Sequence, residues 1–539
     1  MQQRITINLN TDSKTAGKPT ILEYCRSHGV TGIEAPCGGK GTCGKCKVTV
    51  IKPYYKEVLA CQTKICDGME IIVGGGTITG VGTDMNEAKV SASDEMVVLV
   101  DRKSDMQENP VSVYGNHSSN AGTLAACDIG TTTVVCYLID KETGQIIAVR
   151  SGANPQRSFG ADVLSRIDAA ARADDNDKAN GGLQMMQSQI VSLLNGFISD
   201  MLTECGRTKV CLFSVAGNTV MCHLLMGISP EKLGRAPFMP DEYFGREFNP
   251  LDIGLENCQT MIIFPAVSGF VGGDITAGMM ETVNCRKLTL YLDIGTNGEM
   301  ALGKGDRYVC CATAAGPAFE GAQIEMGMPA SKGAVDKVWL EGRRIKYSVI
   351  GNDRPVGLCG SGLIDALAIL LKAGIIDENG TILSGQELPI LFRSYVFELE
   401  AEDAAQSSES SLAVHIAPGV YITQEDIRKL QLAKGAIAAG IDILFKEYGC
   451  KPCDLDILTF AGGFGNYIDK ASAAAIGLFP PELLDRAKEV GNAAGNGAVS
   501  AALSQEAWES ALDISGKMRY IELASYPHFD EIYVEHMNF

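Results

Sequence analysis

The stretch "LAACDIGTTTVVCYLID", residues 124–140, decides the fold, because a near copy, "LTLYLDIGTNGEMAL", stands at 288–302. Each reads as an apolar strand, a polar turn and a second apolar strand. One D-I-G-T would carry little weight, since Asp and Gly occupy turns by preference. Two copies, with Asp128 and Asp293 165 residues apart and each opening a half of similar size, argue for a duplicated lobe with a cleft between the copies. Such a turn has a physical use. Gly130 and Gly295 let the backbone approach a phosphate, while Thr131, Thr132, Thr133, Thr296 and Asn297 donate to its oxygens. The two carboxylates hold a hydrated Mg²⁺ or orient an attacking water, and are expected to face one another across a nucleotide.

A third glycine cluster, "LDILTFAGGFGNYID" at 455–469, follows another apolar strand. Gly462, Gly463 and Phe464 are expected to line the adenosine, where only glycine permits close packing against base and ribose; the plainer reading is a tight strand-to-helix turn. Glu299 and Glu320 are candidates to position water or hold ribose, beside the alternative of solvated acidic side chains. No G-x-x-x-x-G-K-[ST] occurs, so the chain is not a P-loop NTPase. Ser361 in "CGSG" has no strand–elbow context and no His and Asp partner, and reads as a turn residue.

Upstream, "EAPCGGKGTCGKCKVTV" (34–50) sets Cys37, Cys43 and Cys46 at C-x5-C-x2-C, and Cys61 follows after fourteen residues. Four soft, anionic thiolates in that grouping suit two sulfide-bridged irons, and Gly38, Gly39, Gly41 and Gly44 let backbone N–H groups turn toward the cluster sulfurs. Structural zinc competes less well, because only Cys43 and Cys46 form a C-x2-C pair. "RITINLN", "KCKVTVIK" and "MEIIVG" read as strands and "TILEYCRSHG" as a short helix, which makes a small β-grasp domain. It is similar to the 2Fe-2S ferredoxins of plant and adrenodoxin type, with the x5 loop of the latter and an earlier fourth cysteine. Cys25 and Cys66 lie outside the pattern. Cys450 and Cys453 form a lone C-x2-C at a helix end, and Cys310 and Cys311, adjacent on a strand, point to opposite faces.

The expected divisions are a 2Fe-2S domain at 1–76, a Gly- and Ser-containing linker at 77–122, and ATPase lobes at 123–286 and 287–539. Within the last, "YITQEDIRKLQLAKGAIAAGIDILFKEYG" (421–449) is a helix opened by Thr423 and Asp426 and ended by Gly449. His223 reads as a core residue, and the acidic tract 398–411 as a surface loop. Lys plus Arg number 46 against 65 Asp plus Glu, a net charge of −19 with no basic run, which excludes nucleic acid as a partner. No window has the length of a membrane span, and eighteen cysteines without a disulfide pattern point to a reducing, cytoplasmic setting.

The paired D-I-G-T turns and the AGGFG turn resemble the phosphate and adenosine motifs of the acetate and sugar kinase, heat-shock chaperone and actin superfamily (ASKHA), whose actin-like ATPase is a duplicated, ribonuclease H-like α/β fold. "SVAGNTVMCHLL" (214–225), "FPAVSGFVGGD" (264–274), "AAGPAFEGAQI" (314–324) and "GLCGSGLIDAL" (357–367) closely resemble one branch, the ATP-dependent reductive activators of corrinoid proteins. That resemblance implies a 2Fe-2S cluster, ATP and Mg²⁺ as cofactors. It implies one-electron reduction of an inactive Co(II) corrinoid protein to Co(I), with the electron passing through the N-terminal cluster. A low-potential ferredoxin or flavoprotein is the implied donor, and a homodimer stays open. The alternatives are ATP-driven electron delivery to another low-potential metalloprotein, a redox-sensing ATPase and a small-molecule kinase.

Overall fold

A computed structural model describes residues 3–7, 19–27, 33, 35, 39, 46–52, 56–66, 69–73, 122–171, 181–282, 286–295, 297–321, 323–399, 412–465 and 467–539. Cys37, Cys43, Thr296, residues 77–121 of the expected linker and most of the acidic tract lie outside these. The described residues fall into two compact units. The first takes in those of 1–89, 111–277 and 497–512, and the second those of 278–496 and 513–539.

In the first unit, β1 (Gln3–Ile7), β2 (Lys47–Lys52), β3 (Lys56–Leu59) and β4 (Met69–Val73) form an antiparallel sheet ordered β1-β4-β2-β3. Alternation puts Val48, Val50, Met69, Ile71 and Val73 inside, against Ile21, Leu22 and Cys25 of α1 (Ile21–Ser27). Thr20 and Glu23 start α1 reciprocally: Glu23 N–H donates to Thr20 Oγ1 (3.2 Å) and Thr20 N–H to Glu23 Oε2 (2.6 Å). The sequence does not announce β3, because "KEVL" is a short, charged edge strand without a clean apolar period.

The same unit contains β5 (Thr123–Ile129), β6 (Thr133–Asp140), β7 (Ile146–Ala153), β8 (Val210–Gly217), β9 (Arg246–Phe248) and β10 (Cys258–Ile263), ordered β7-β6-β5-β8-β10-β9. β5, β6 and β7 make an antiparallel meander, while β8 runs parallel to β5 and β10 parallel to β8. The helices here are α2 (Val163–Ala171), α3 (Gly182–Glu204), α4 (Thr219–Met226) and α5 (Gly273–Thr282). Met186, Ile190, Leu194, Ile198 and Met201, spaced three or four apart on α3, bury one stripe against the sheet core.

In the second unit, β11 (Thr289–Ile294), β12 (Gly298–Lys304) and β13 (Arg307–Thr313) form the equivalent meander. Two three-stranded sheets follow: β14 (Ala334–Glu341), β15 (Arg344–Val349) and β16 (Gly357–Leu358), then β17 (Val396–Glu398), β18 (Leu412–Ala417) and β19 (Val420–Thr423). β20 (Ile457–Ala461), β21 (Ala487–Glu489) and β22 (Met518–Tyr520) complete the main sheet, ordered β21-β20-β11-β12-β13-β22. In both main sheets the meander runs third, second, first strand, and two further strands lie beyond the first and parallel to it, β8 and β10 in one and β20 and β21 in the other. The duplication read from two turns extends to whole-sheet topology.

The remaining helices are α6 (Gly360–Lys372), α7 (Gln424–Tyr448), α8 (Gly462–Gly465), α9 (Lys470–Ala475), α10 (Ala493–Leu503), α11 (Gln505–Lys517) and α12 (Phe529–Glu535). α7 has the expected ends. Asp426 N–H donates to Thr423 Oγ1 (3.0 Å), Thr423 N–H to Asp426 Oδ2 (3.1 Å), and Gly449 closes it at φ +79°. Residues 497–512, expected in the second lobe, pack within the first unit: Gly497 against the Ala277 backbone and Trp508 edge-on to Phe264 at 5.4 Å. A Cβ on Gly497 would stand 2.3 Å from the Ala277 carbonyl oxygen, so α5 and α10 approach through glycine. Among the described residues no helix is long and apolar enough to cross a membrane.

Candidate cluster and nucleotide sites

Cys46 and Cys61, separate in sequence, meet in space. Ala60 N–H donates to the Cys46 carbonyl (2.7 Å), which folds the turn after β3 back onto the start of β2 and brings the two buried Sγ atoms to 3.2 Å. Two thiolates that close fit one metal centre. Gly39 lies beside them at φ +90°, and a Cβ there would stand 3.2 Å from Leu22 Cδ2 and 3.8 Å from Cys61 Cβ. The described residues Cys46, Cys61 and Gly39 therefore fit a cluster site, with two thiolates together and no side chain at Gly39 to crowd them. Cys25 is a buried thiol whose pKa burial pushes up to about 11, a core cysteine rather than an anionic ligand.

The first D-I-G-T turn joins β5 to β6, and parallel pairing of β5 with β8 sets Asp128 beside Ala216 and Ile129 beside Gly217. Gly130 N–H donates to the Thr133 carbonyl (3.0 Å), and a Cβ on Gly130 would fall 2.7 Å from that oxygen, so this turn needs glycine. Asn154, buried after β7, donates Nδ2–H to the Gly130 carbonyl (2.8 Å) and its own N–H to the Thr132 carbonyl (2.8 Å). Asn218 caps α4 by accepting from Met221 N–H (2.9 Å) and donates to Thr131 Oγ1 (3.1 Å). Fully buried Arg166 donates to the carbonyls of Thr131 and Gly160.

Close by, Gly272 and Gly273 bring the α5 N-terminus against Asn218 and Phe264, where a Cβ would clash at 2.5 and 2.6 Å. Asp274 follows them, half-buried, with its pKa pushed up to about 6 by burial. The charges of Asp274 and Asp128 both add to the burial that raises the Cys222 thiol, so both carboxylates lie within electrostatic reach of it. Sequence reasoning missed Asn154, Arg166, Asn218 and Asp274 as site residues. "GNT" and "GGD" carry a glycine signal for the last two, and nothing local marks the others.

In the second unit, antiparallel pairing sets Asp293 directly opposite Glu299, and parallel pairing sets Asp293 beside Ala461, the last residue of β20. Gly462 follows at φ +81°, where a Cβ would lie 2.4 Å from Asp293 Oδ1. The second D-I-G-T turn and the glycine cluster thus lie side by side, and Gly462 abuts the Asp293 carboxylate. Gly295 N–H donates to the Asn297 carbonyl (2.9 Å), and the Glu320 carboxylate reaches within 4.0 Å of a Cβ on Gly295. Glu299 is 7 % exposed, which overturns the solvated reading for it. Gly463 and Phe464 lie in the short α8.

Two plain readings match the geometry: His223 is buried with Nδ1 2.7 Å from the Thr219 carbonyl, and Cys453 sits in the short turn after α7. Ser361, expected in a turn, instead lies in the first turn of helix α6, where its hydroxyl donates to the Asp336 carbonyl (2.8 Å).

These features define a 2Fe-2S ferredoxin-like domain on an actin-like ASKHA ATPase. Family models agree along the chain: a 2Fe-2S iron–sulfur cluster binding domain matches 7–66, the RACo middle region 124–284, and the C-terminal ASKHA domain of RACo 287–539. "Corrinoid activation enzyme RamQ" of Eubacterium limosum is 32% identical over 579 aligned residues, covering 95% of each chain. "[Co(II) methylated amine-specific corrinoid protein] reductase" of Methanosarcina barkeri is 28% identical over 393, covering 66% of this chain and 65% of that one. Among solved structures, a "Reductive activator for corrinoid,iron-sulfur protein" aligns at TM-score 0.66 and 28% identity, covering 99% of this chain and 98% of the other. The chain belongs to the family of reductive activators of corrinoid proteins.

Proposed function

We propose that this chain uses ATP to deliver one electron to the Co(II) centre of a corrinoid protein, producing Co(I) and returning that protein to methyl transfer. The observation that carries the reading is the union, over 95% of a corrinoid activation enzyme, of a 2Fe-2S domain and an ASKHA ATPase in one polypeptide. Cys37, Cys43, Cys46 and Cys61 hold the cluster, which when bound supplies a one-electron relay; a low-potential ferredoxin or flavoprotein is the assigned donor. Plant-type clusters sit near about −400 mV, and each ~59 mV of uphill one-electron transfer costs about 1.4 kcal/mol, so ATP is suited to cover a gap of a few hundred millivolts.

In each lobe the chain's own groups do the nucleotide work. Thr131, Thr132, Thr133, Thr296 and Asn297 donate to phosphate oxygens, and Gly130, Gly295 and Gly462 leave room for them. Asp293 and Glu299 stand opposite across a strand pair and are assigned to Mg²⁺ in the second lobe, and Asp128 to Mg²⁺ or the attacking water in the first. Asp274, more basic than an ordinary carboxylate yet ionised at neutral pH, takes the water's proton. Glu320, Gly463 and Phe464 are assigned to ribose and base.

The test is anaerobic: protein, chemical reductant and a Co(II) corrinoid protein, followed by visible absorbance. Co(I) is expected with ATP and not without it. Phosphate transfer to an added acid or sugar, with no Co(I), would move the chain to the kinases.

A further inference from the structure

We propose that Arg26 docks the cluster domain onto residues 158–159 of the first lobe, a segment tied to the phosphate turn, and that this contact carries nucleotide state to the cluster. The inference rests on the assignment of ATP to the 128–133 turn and of the cluster to the four cysteines.

Arg26 lies in the last turn of α1 and reaches out of its own domain. Its Nε–H donates to the carbonyl oxygen of Ser158 (2.8 Å), Nη2 donates to the same oxygen, and the guanidinium lies 5.0 Å from the centre of the Phe159 ring. On the cluster side, Nη1 stands 3.9 Å from where a Cβ on Gly39 would be, the point that also lies 3.8 Å from Cys61 Cβ. One side chain thus stands beside the cluster loop at Gly39 and bonds residues 158–159 of the lobe. The acceptor is a neutral main-chain carbonyl and Phe159 is buried, so charge steering alone does not explain the contact; the fork and flat face of arginine do.

Residues 154–160 are in turn tied to the phosphate turn at both ends. Asn154 bonds the carbonyls of Gly130 and Thr132 at one end, and Arg166 spans Gly160 and Thr131 at the other. Both anchors are buried, so a rearrangement of the turn around phosphate moves Ser158 and Phe159 with it. From the 130–132 turn to Arg26 the route runs through these hydrogen bonds and the 154–160 backbone, and Arg26 then lies beside Gly39.

The test is hydrogen exchange on the full-length chain, wild type, Arg26→Ala and Arg26→Gln, with and without a non-hydrolysable ATP analogue. In the wild type the analogue should slow exchange together in 130–133, 154–160 and 21–27. In both variants 21–27 should exchange about tenfold faster and lose its response to nucleotide, while 130–133 keeps its own. If Arg26→Ala also loosens β2 and β4, as a folding defect would, Arg26→Gln, which keeps much of the stem, carries the comparison. Co(I) formation should fall about tenfold with ATP hydrolysis unchanged. A nucleotide response of 21–27 that persists in the variants, or is missing from the wild type, overturns the proposal. Failure of the functional reading shows separately, as no Co(I) from wild-type protein whose exchange pattern is intact.

Discussion

Asp274→Asn is expected to do two opposite things, stabilising the first unit and slowing ATP hydrolysis. Burial pushes this carboxyl up to about 6 from an ordinary 3.8, while backbone donors, Ile275 N–H among them at 2.9 Å, pull the other way. At full burial that difference is worth about 3 kcal/mol at neutral pH, and screening by the solvent that still reaches Asp274 lowers the expectation to about 2 kcal/mol. An acid whose folded-state pKa lies above its unfolded value costs stability when ionised. The cost is therefore full above about pH 6 and fades as the pH falls toward 3.8. Asparagine keeps the Oδ1 acceptor for Ile275 and carries no charge, so its advantage should be largest at pH 8 and about half as large at pH 5. For a unit of this size about 2 kcal/mol raises the midpoint by about 4 to 8 °C. Trp508, against Phe264 in this unit, reports the transition by fluorescence once Trp339 is changed to Phe. Hydrolysis should fall about a hundredfold. No rise in midpoint, or an equal rise at pH 5 and pH 8, would refute the burial argument, and unchanged hydrolysis would remove Asp274 from the reaction.

Three other perturbations separate the parts of the site. Gly462→Ala, with a Cβ forced to 2.4 Å from Asp293 Oδ1, should weaken ATP binding about tenfold by titration calorimetry, whereas Gly449→Ala, in open space at a similar φ, should cost only about 1 kcal/mol of stability. Arg166→Met strips the donor from the carbonyls of Thr131 and Gly160, and a loss of about 3 kcal/mol should appear in urea unfolding of the first unit. Cys61→Ser should abolish the visible absorbance of the cluster while ATP hydrolysis continues; a normal cluster spectrum would remove Cys61 from the ligand set.

What the sequence made legible was what repeats or what has a ligand's chemistry. Two D-I-G-T turns between apolar strands announced the duplication, and four cysteines around a glycine loop announced a cluster. Strand order was not legible, because pairing β8 with β5 or β20 with β11 joins segments far apart in the chain. Nor was the return of residues 497–512 to the first unit, which depends on close packing of Gly497 and Trp508 rather than on any local signal. Asn154 and Arg166 escaped for a related reason: their role is to satisfy carbonyls of a distant turn, and a lone Asn or Arg in sequence carries no mark of the partner it will find. Glu299 read as ambiguous because exposure is a tertiary property, and the strand pairing that buries it opposite Asp293 resolved it.

The most direct measurement is a single turnover. Protein reduced beforehand and freed of excess reductant is mixed with a Co(II) corrinoid protein, and Co(I) is counted against clusters oxidised, with ATP and without. One Co(I) per cluster, formed only with ATP and absent in Cys61→Ser and Asp293→Ala, is the predicted result. Co(I) formed equally without ATP, or formed by the Cys61→Ser variant, would contradict the account.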